Sequence, residues 1–234
     1  MERKQVTLFG ATGLIGGCIL DIILEDPYFN DVIVVSRRPL SKKHPKMHTR
    51  IIDFSNTKQI EQSIANSDFV FSAIGTTQAQ VKGDKSAYRK IDFDITLGIA
   101  MACKKMNVKS FLFVSSSGAN SSSASFYMKL KGKIDEAVFM LNLISAVTFR
   151  PSLLIGKRKE YRFGEKIAQF IMPFVSFLFP KKLKPIPGSF VAEAMVHVSK
   201  NFPFGNKVVE NRDLILWKKT GFDLWKKSNK VFIQ

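Results

Sequence analysis

Cysteine is nearly absent from this chain of 234 residues: only Cys18 and Cys103 occur. Two thiols cannot build a disulfide framework or a zinc site, and they fit a reducing, cytosolic setting. Histidine is as scarce, and His44, His48 and His197 share no metal-ligand spacing, so no metal is expected. No apolar run reaches the ~18 residues that a membrane-spanning helix needs. These absences lead to the expectation of a cytoplasmic globular protein. Acidic residues are also few, 19 against 36 lysines and arginines, for a net charge of +17. The deficit is uneven. Residues 1–99 hold 13 basic and 11 acidic side chains, and residues 100–234 hold 23 and 8. Such an excess favours anionic partners, although a solvated lysine-rich surface carries the same signature. No arginine–aromatic pattern or zinc-finger spacing supports specific nucleic-acid recognition.

The chain has what a sizeable α/β domain needs: 45% hydrophobic residues and an alternation of β-branched runs with helical periods. Strands are expected at Gln5–Phe9, Val32–Ser36, Thr49–Asp53, Phe69–Ile74, Ser110–Ser115 and Ala146–Phe149. Helices are expected at Leu14–Glu25, Thr57–Ala65, Ala87–Met106 and Phe126–Leu141. Strands that are apolar on both faces, separated by helices, predict a Rossmann-type doubly wound parallel sheet with right-handed crossovers. After Pro151 the alternation weakens. Residues 1–234 are therefore read as a single domain, in which 151–234 contribute a small cap over the carboxyl edge and a basic tail.

The stretch Val6–Gly17 reads VTLFGATGLIGG, with Gly10, Gly13 and Gly16 three apart behind the first strand. Gly10 permits a tight turn, Gly13 lets backbone amides approach a pyrophosphate, and Gly16 lets the helix pack close to the strand. The helix that opens at Leu14 and Ile15 adds free N–H groups and the positive end of its dipole. Thr12 completes the loop. The same residues imitate a lipoprotein signal ending at Cys18, but removing them would leave a sheet without its first strand. The loop is read as a dinucleotide cradle.

The end of the second strand, about 20 residues beyond Gly16, decides which dinucleotide is expected. An acid there would bind the 2′-hydroxyl of NAD. The sequence instead reads Ser36-Arg37-Arg38-Pro39, with two guanidinium groups and no carboxylate. Such forks match the 2′-phosphate, so NADP(H) is favoured over NAD(H).

Tyr127 and Lys131 are four apart on an expected helix and therefore share a face. A phenol titrates near ~10 and is a poor acid at neutrality, but a neighbouring ammonium brings it toward a useful range. A serine at the end of the neighbouring strand, within Val114-Ser115-Ser116-Ser117-Gly118, can hold a substrate carbonyl. Taken alone, Tyr127 would equally fit the apolar stripe Tyr127, Leu130, Ile134, Val138, Leu141, with Lys131 a surface charge.

FGATGLIG, SRRPL, IDF, AIGTT, VSSSGA, YMKLK and FRPSLLIGKR, in that order, resemble the short-chain dehydrogenase/reductase superfamily. The spacing GATGxxG resembles its atypical branch. SSSGANSSSASFYMKLKG and FRPSLLIGKRKEYR resemble the group typified by the HIV Tat-interacting protein. The likeness runs from Val6 to about Met195. It implies that Tyr127 exchanges the proton on the substrate oxygen and that Lys131 also holds the nicotinamide ribose. Ser116 would orient the carbonyl, with Ser115 a close competitor. Asp53 and Phe54 would lie against the adenine, Gly75 beside the cofactor's ribose, and Pro151 and Leu153 beside the nicotinamide.

Lys166–Lys184 contains the apolar run Ile167–Phe179, which is expected to line the substrate cleft or to pack on the sheet; if it lines the cleft, the small-molecule substrate is at least partly apolar, and peripheral membrane contact is the less favoured alternative. The basic motifs at Trp217-Lys218-Lys219 and Trp225-Lys226-Lys227 indicate no function. The expected activity is an NADPH-dependent reduction of a carbonyl-like group. The alternatives are an NADP-binding regulator without turnover, a nucleotide-sugar epimerase and a membrane-surface protein.

Overall fold

The computed structural model describes residues 4–77, 79–156, 184–201 and 204–222. The first half contains β1 (Gln5–Phe9), α1 (Leu14–Glu25), β2 (Asp31–Ser36), β3 (Met47–Ile51), α2 (Thr57–Ile64) and β4 (Phe69–Ser72). Next come α3 (Lys85–Arg89), a π turn (Lys90–Asp94), α4 (Ile95–Lys105), β5 (Ser110–Val114), α5 (Phe126–Met140) and β6 (Ser145–Arg150). After Pro151 lie β7 (Leu154–Ile155), β8 (Ile186–Pro187), α6 (Gly188–Asn201), β9 (Gly205–Glu210) and α7 (Asn211–Thr220).

Seven parallel strands stand in the order β3-β2-β1-β4-β5-β6-β9. The order reverses between β1 and β4, and the crevice above such a switch point is where open α/β sheets bind ligands. Strand periodicity fills both faces. Val6, Leu8, Val32, Val34, Val147 and Phe149 point into one core, shared with Ile19 and Ile23 of α1 and Met195 of α6. Phe9, Ile33, Val35, Val70, Phe111 and Phe113 point into the other, shared with Ile60, Ile99, Ile134 and Val138. Doubly apolar strands of this kind require helices on both sides, as the fold class anticipates.

The third strand differs from expectation, ending at Ile51 instead of Asp53. Ser55 donates to Asp53 through its amide (2.9 Å) and hydroxyl (2.6 Å), and the Asn56 side chain caps α2, so a turn begins here. The helix expected at Ala87–Met106 begins at Lys85, because Asp84 accepts from the amides of Ser86 and Ala87. It is then interrupted by the π turn.

The largest correction concerns the residues after Pro151. The alternation resumes beyond residue 184: β9 joins the main sheet beside β6, and α6 packs on the α1 side of the sheet. Trp217, expected in a basic tail, is fully buried in that core from α7. The weak periodicity of GNKVVE concealed β9, an edge strand with one apolar face covered. Ile167–Phe179 and Trp225-Lys226-Lys227 lie outside the described residues. Among the described residues no helix is long and apolar enough to cross a membrane, and no group of metal ligands forms.

Candidate active site

The glycine loop leaves β1 at the switch point and passes over the end of β4. Gly10 has φ +87°, and a Cβ there would come within 2.7 Å of the Ala73 carbonyl group. A Cβ on Gly16 would overlap the carbonyl oxygen of Gly10. Chain packing therefore demands both glycines. Gly13 is different. It caps α1 in extended conformation (φ −80°, ψ 171°), and its Cβ would meet nothing closer than Gly10 O at 3.4 Å. Gly13 is exposed, and among the described residues no side chain caps the first turn of α1. Uncapped amides at a helix N-terminus, beside a residue without a side chain, fit a pyrophosphate.

The other loop residues divide between surface and core. Thr12 is exposed, whereas Ile15 is buried in the core. Leu14 packs where a Cβ on Gly156 or Gly188 would lie 2.6–2.7 Å from its side chain. Buried Ile15 can thus offer a ligand only its backbone, whereas Leu14 is partly exposed. Glycines 156 and 188 tie the segment after Pro151 to the loop.

Arg37 and Arg38 stand exposed after β2, in a turn closed by the Ser36 hydroxyl donating to Arg38 O at 2.6 Å. Asp53 is exposed too, and the two hydrogen bonds from Ser55 hold its carboxyl below the usual carboxylate range. Phe54 packs on Phe9, with ring centroids 6.0 Å apart. Gly75 is exposed beside Asp92, whose Oδ1 would lie 3.7 Å from a Cβ on it. Pro151 is buried and accepts from the Ser117 amide at 2.9 Å, while Leu153 is exposed.

The two candidate serines, just beyond β5, have different surroundings. Ser115 is buried, and its hydroxyl donates to Asp135 Oδ2 at 3.0 Å. Ser116, the next residue, is only partly buried, and its hydroxyl makes a 3.4 Å contact with Ser117 O. The serine loop then folds back on α5, where a Cβ on Gly132 would overlap the backbone of Asn120 and Ser121. This close approach fixes the start of α5, and Tyr127 with it, against the end of β5. Tyr127 is edge-on to Tyr88, with centroids 6.1 Å apart, and the Lys131 ammonium lies 6.0 Å from its ring centroid.

Sequence reasoning missed two carboxylates. Asp92 Oδ1 lies 2.5 Å from Lys131 Nζ, and its Oδ2 accepts from the Thr76 amide at 2.8 Å. Asp135, one turn beyond Lys131, accepts from Ser115, Thr148 (3.1 Å) and Arg150 (2.9 Å), and burial pushes its carboxyl up. The four-residue spacing Tyr127–Lys131–Asp135 was available as a signal. Asp92 had no comparable signal, because an ideal helix does not predict the direction of a residue in a π turn.

The strand order and the glycine cradle define a dinucleotide-binding α/β protein. Residues 10–141, more than half of the chain, match the family model described as NAD(P)H-binding, and the chain belongs to that family. It is 32% identical over 204 residues to "Protein FMP52, mitochondrial" of Debaryomyces hansenii, covering 82% of this chain and 86% of that one. The Candida albicans protein of the same name is 32% identical over 195 residues, covering 81% and 85%. Among solved structures, a UDP-N-acetylglucosamine 4-epimerase from Methanobrevibacter ruminantium superposes with a TM-score of 0.70 at 20% identity, covering 90% of this chain and 77% of that one. WbmH of Bordetella bronchiseptica, in complex with NAD+, gives 0.67 at 17% identity, covering 88% and 75%. These structural likenesses show the fold alone, a parallel α/β sheet of the dinucleotide-binding kind. The relatives' names correct the cytoplasmic expectation. Low cysteine content marks a reducing compartment without saying which one, and the relatives are named as mitochondrial.

Proposed function

We propose that the protein is a mitochondrial NADPH-dependent reductase of the short-chain dehydrogenase type, acting on a carbonyl-like small molecule. The observation that carries this reading is the pairing of Tyr127 and Lys131 on α5: the Lys131 ammonium lies 6.0 Å from the Tyr127 ring centroid and pairs with Asp92, which accepts from the Thr76 amide in the loop after β4. Bound NADPH supplies the hydride. The chain's residues do the rest. The first-turn amides of α1 hold the pyrophosphate, and Arg37 and Arg38 pair with the 2′-phosphate in the absence of an acid at the end of β2. Ser116, whose neighbour Ser115 is engaged by Asp135, orients the substrate oxygen. Tyr127 gives that oxygen its proton while the Lys131 ammonium steadies the phenolate left behind. The mitochondrial assignment rests on the FMP52 relatives, and the likeness to the Tat-interacting group on the segments around Ser116 and Tyr127.

The test is a panel of aldehydes, ketones and quinones, with NADPH oxidation followed by absorbance. Tyr127→Phe keeps the ring against Tyr88 and should keep NADPH affinity. Its turnover should fall about 10²–10⁴-fold, the usual worth of general acid catalysis. Equal turnover, or no carbonyl reduced by the unmodified protein, would defeat the reading. The 4-epimerase fold neighbours favour a second one, tested by adding UDP-sugars to the same panel and looking for C4 epimers.

A further inference from the structure

The helix that begins at Lys85 does not run straight to Lys105. Its π turn at Lys90–Asp94 turns Asp92 inward, although an aspartate usually sits on the solvent face. The Asp92 side chain is 2% exposed and that of Lys131 is 7% exposed. Burying an ion pair is a poor way to gain stability, since apolar residues of similar volume commonly do as well or better. Retaining this one beside Tyr127 therefore calls for a role at the site. Asp92 also reaches a second element. It accepts from the amide of Thr76 in the loop after β4, next to Gly75, so a single carboxylate bridges that loop to α5.

We propose that Asp92 is a positioning residue: its carboxylate holds the Lys131 ammonium charged beside Tyr127 and fixes the Thr76 loop facing it. The inference rests on the reading of Lys131 as a group that contacts the cofactor. Three charged or titratable groups act on the lysine, and a fourth acts on one of them. Asp92 faces it from the π turn, and Tyr127 and Asp135 face it from its own helix, while Arg150 of β6 already pairs with Asp135. Burial works to lower the pKa of Lys131, but Asp92 first, then Tyr127 and Asp135, outweigh it, and the net direction is upward. Without the charge on Asp92, the partner that remains is one already shared with Arg150. Desolvation then wins and the lysine loses its proton at lower pH.

Asp92→Asn removes the charge and keeps an acceptor for the Thr76 amide. Lysine side-chain NMR, with the Lys131 signal assigned by its loss in Lys131→Met, follows the amine directly in the cofactor-free protein. Lys131 should titrate above about 10.4 in the unmodified protein. In Asp92→Asn it should titrate at about pH 8 or below, more than about two pH units lower. NADPH affinity of the unmodified protein should change little between about pH 7 and pH 9. That of Asp92→Asn should fall at least about ten-fold over this range, and Asp92→Glu should restore the flat profile. Unshifted titration, or a flat NADPH profile in Asp92→Asn, overturns the proposal. So does a value below about 10.4 in the unmodified protein, a test that stands even if the variants fail to fold. A normal Lys131 shift with no carbonyl reduced would defeat the reductase reading and leave Asp92 in its role. Reduction with no Lys131 shift would do the reverse.

Discussion

The glycine cradle and the polar cluster around Lys131 are built by opposite means. The cradle is contiguous: Gly10 to Gly16 form one turn between β1 and α1, and its constraints are steric. The cluster is dispersed: Thr76, Asp92, Ser116, Tyr127 and Lys131 come from the loop after β4, the π turn, the end of β5 and α5. Its constraints are electrostatic: Asp92 pairs with Lys131 and accepts from the Thr76 amide. The cradle therefore depends on the space left by missing side chains. The cluster depends on charges that cancel one another, as the 2.5 Å pair between Lys131 and Asp92 illustrates.

Changes within the cradle should break this comparison most visibly. Gly16→Val forces a side chain into the Gly10 carbonyl and should destabilise the fold by about 4 kcal/mol or more, read as a collapse of the thermal transition. Gly13→Val, three residues earlier, meets no backbone clash. It should keep the melting temperature close to that of the unmodified protein and still weaken NADPH binding by at least about a hundred-fold, measured by fluorescence titration. If both variants lose stability equally, the distinction between packing glycine and ligand glycine fails.

Arg37→Ala and Arg38→Ala lie at the cradle's far rim and carry charge, not shape. Each should cost NADPH about ten-fold to a hundred-fold in affinity, the worth of a charge-assisted hydrogen bond, and cost NADH much less. Calorimetry showing equal losses for both cofactors would remove the NADP preference. The smallest effect is expected at the opposite end of the sheet, remote from both regions. Asp68 accepts from Lys109 at 2.7 Å and the Gln5 amide at 3.0 Å. Burial opposes ionisation there, but these donors, with Lys4, hold the carboxyl below its usual range. A depressed folded-state pKa stabilises above the unfolded value, and that gain disappears as pH falls through the folded one. Asp68→Asn should therefore cost about 1 kcal/mol near neutrality, less with added salt, and the gap should close below about pH 4. NADPH affinity should not change. Urea melts at two pH values, with a binding titration beside them, check both halves.

The sequence by itself determined the parts whose physics is local. Apolar alternation placed β1, β2, β4, β5 and β6, because strands buried on both faces leave little freedom of composition. The spacing of Gly10, Gly13 and Gly16 located the loop, because a tight turn at Gly10 and a helix contact at Gly16 each exclude a side chain. The four-residue step from Tyr127 to Lys131 put both groups on one face. Tertiary structure decided what depends on contacts between distant segments. It buried Ser115 against Asp135 and left Ser116 only partly buried. It seated Leu14 against Gly156 and Gly188, and it drew β9 and Trp217 into the main fold from a stretch whose periodicity was weak. It also turned Asp92 onto Lys131 through a π turn. A buried charge finds its place only once its counter-charge is beside it, and here the two are 39 positions apart in the chain.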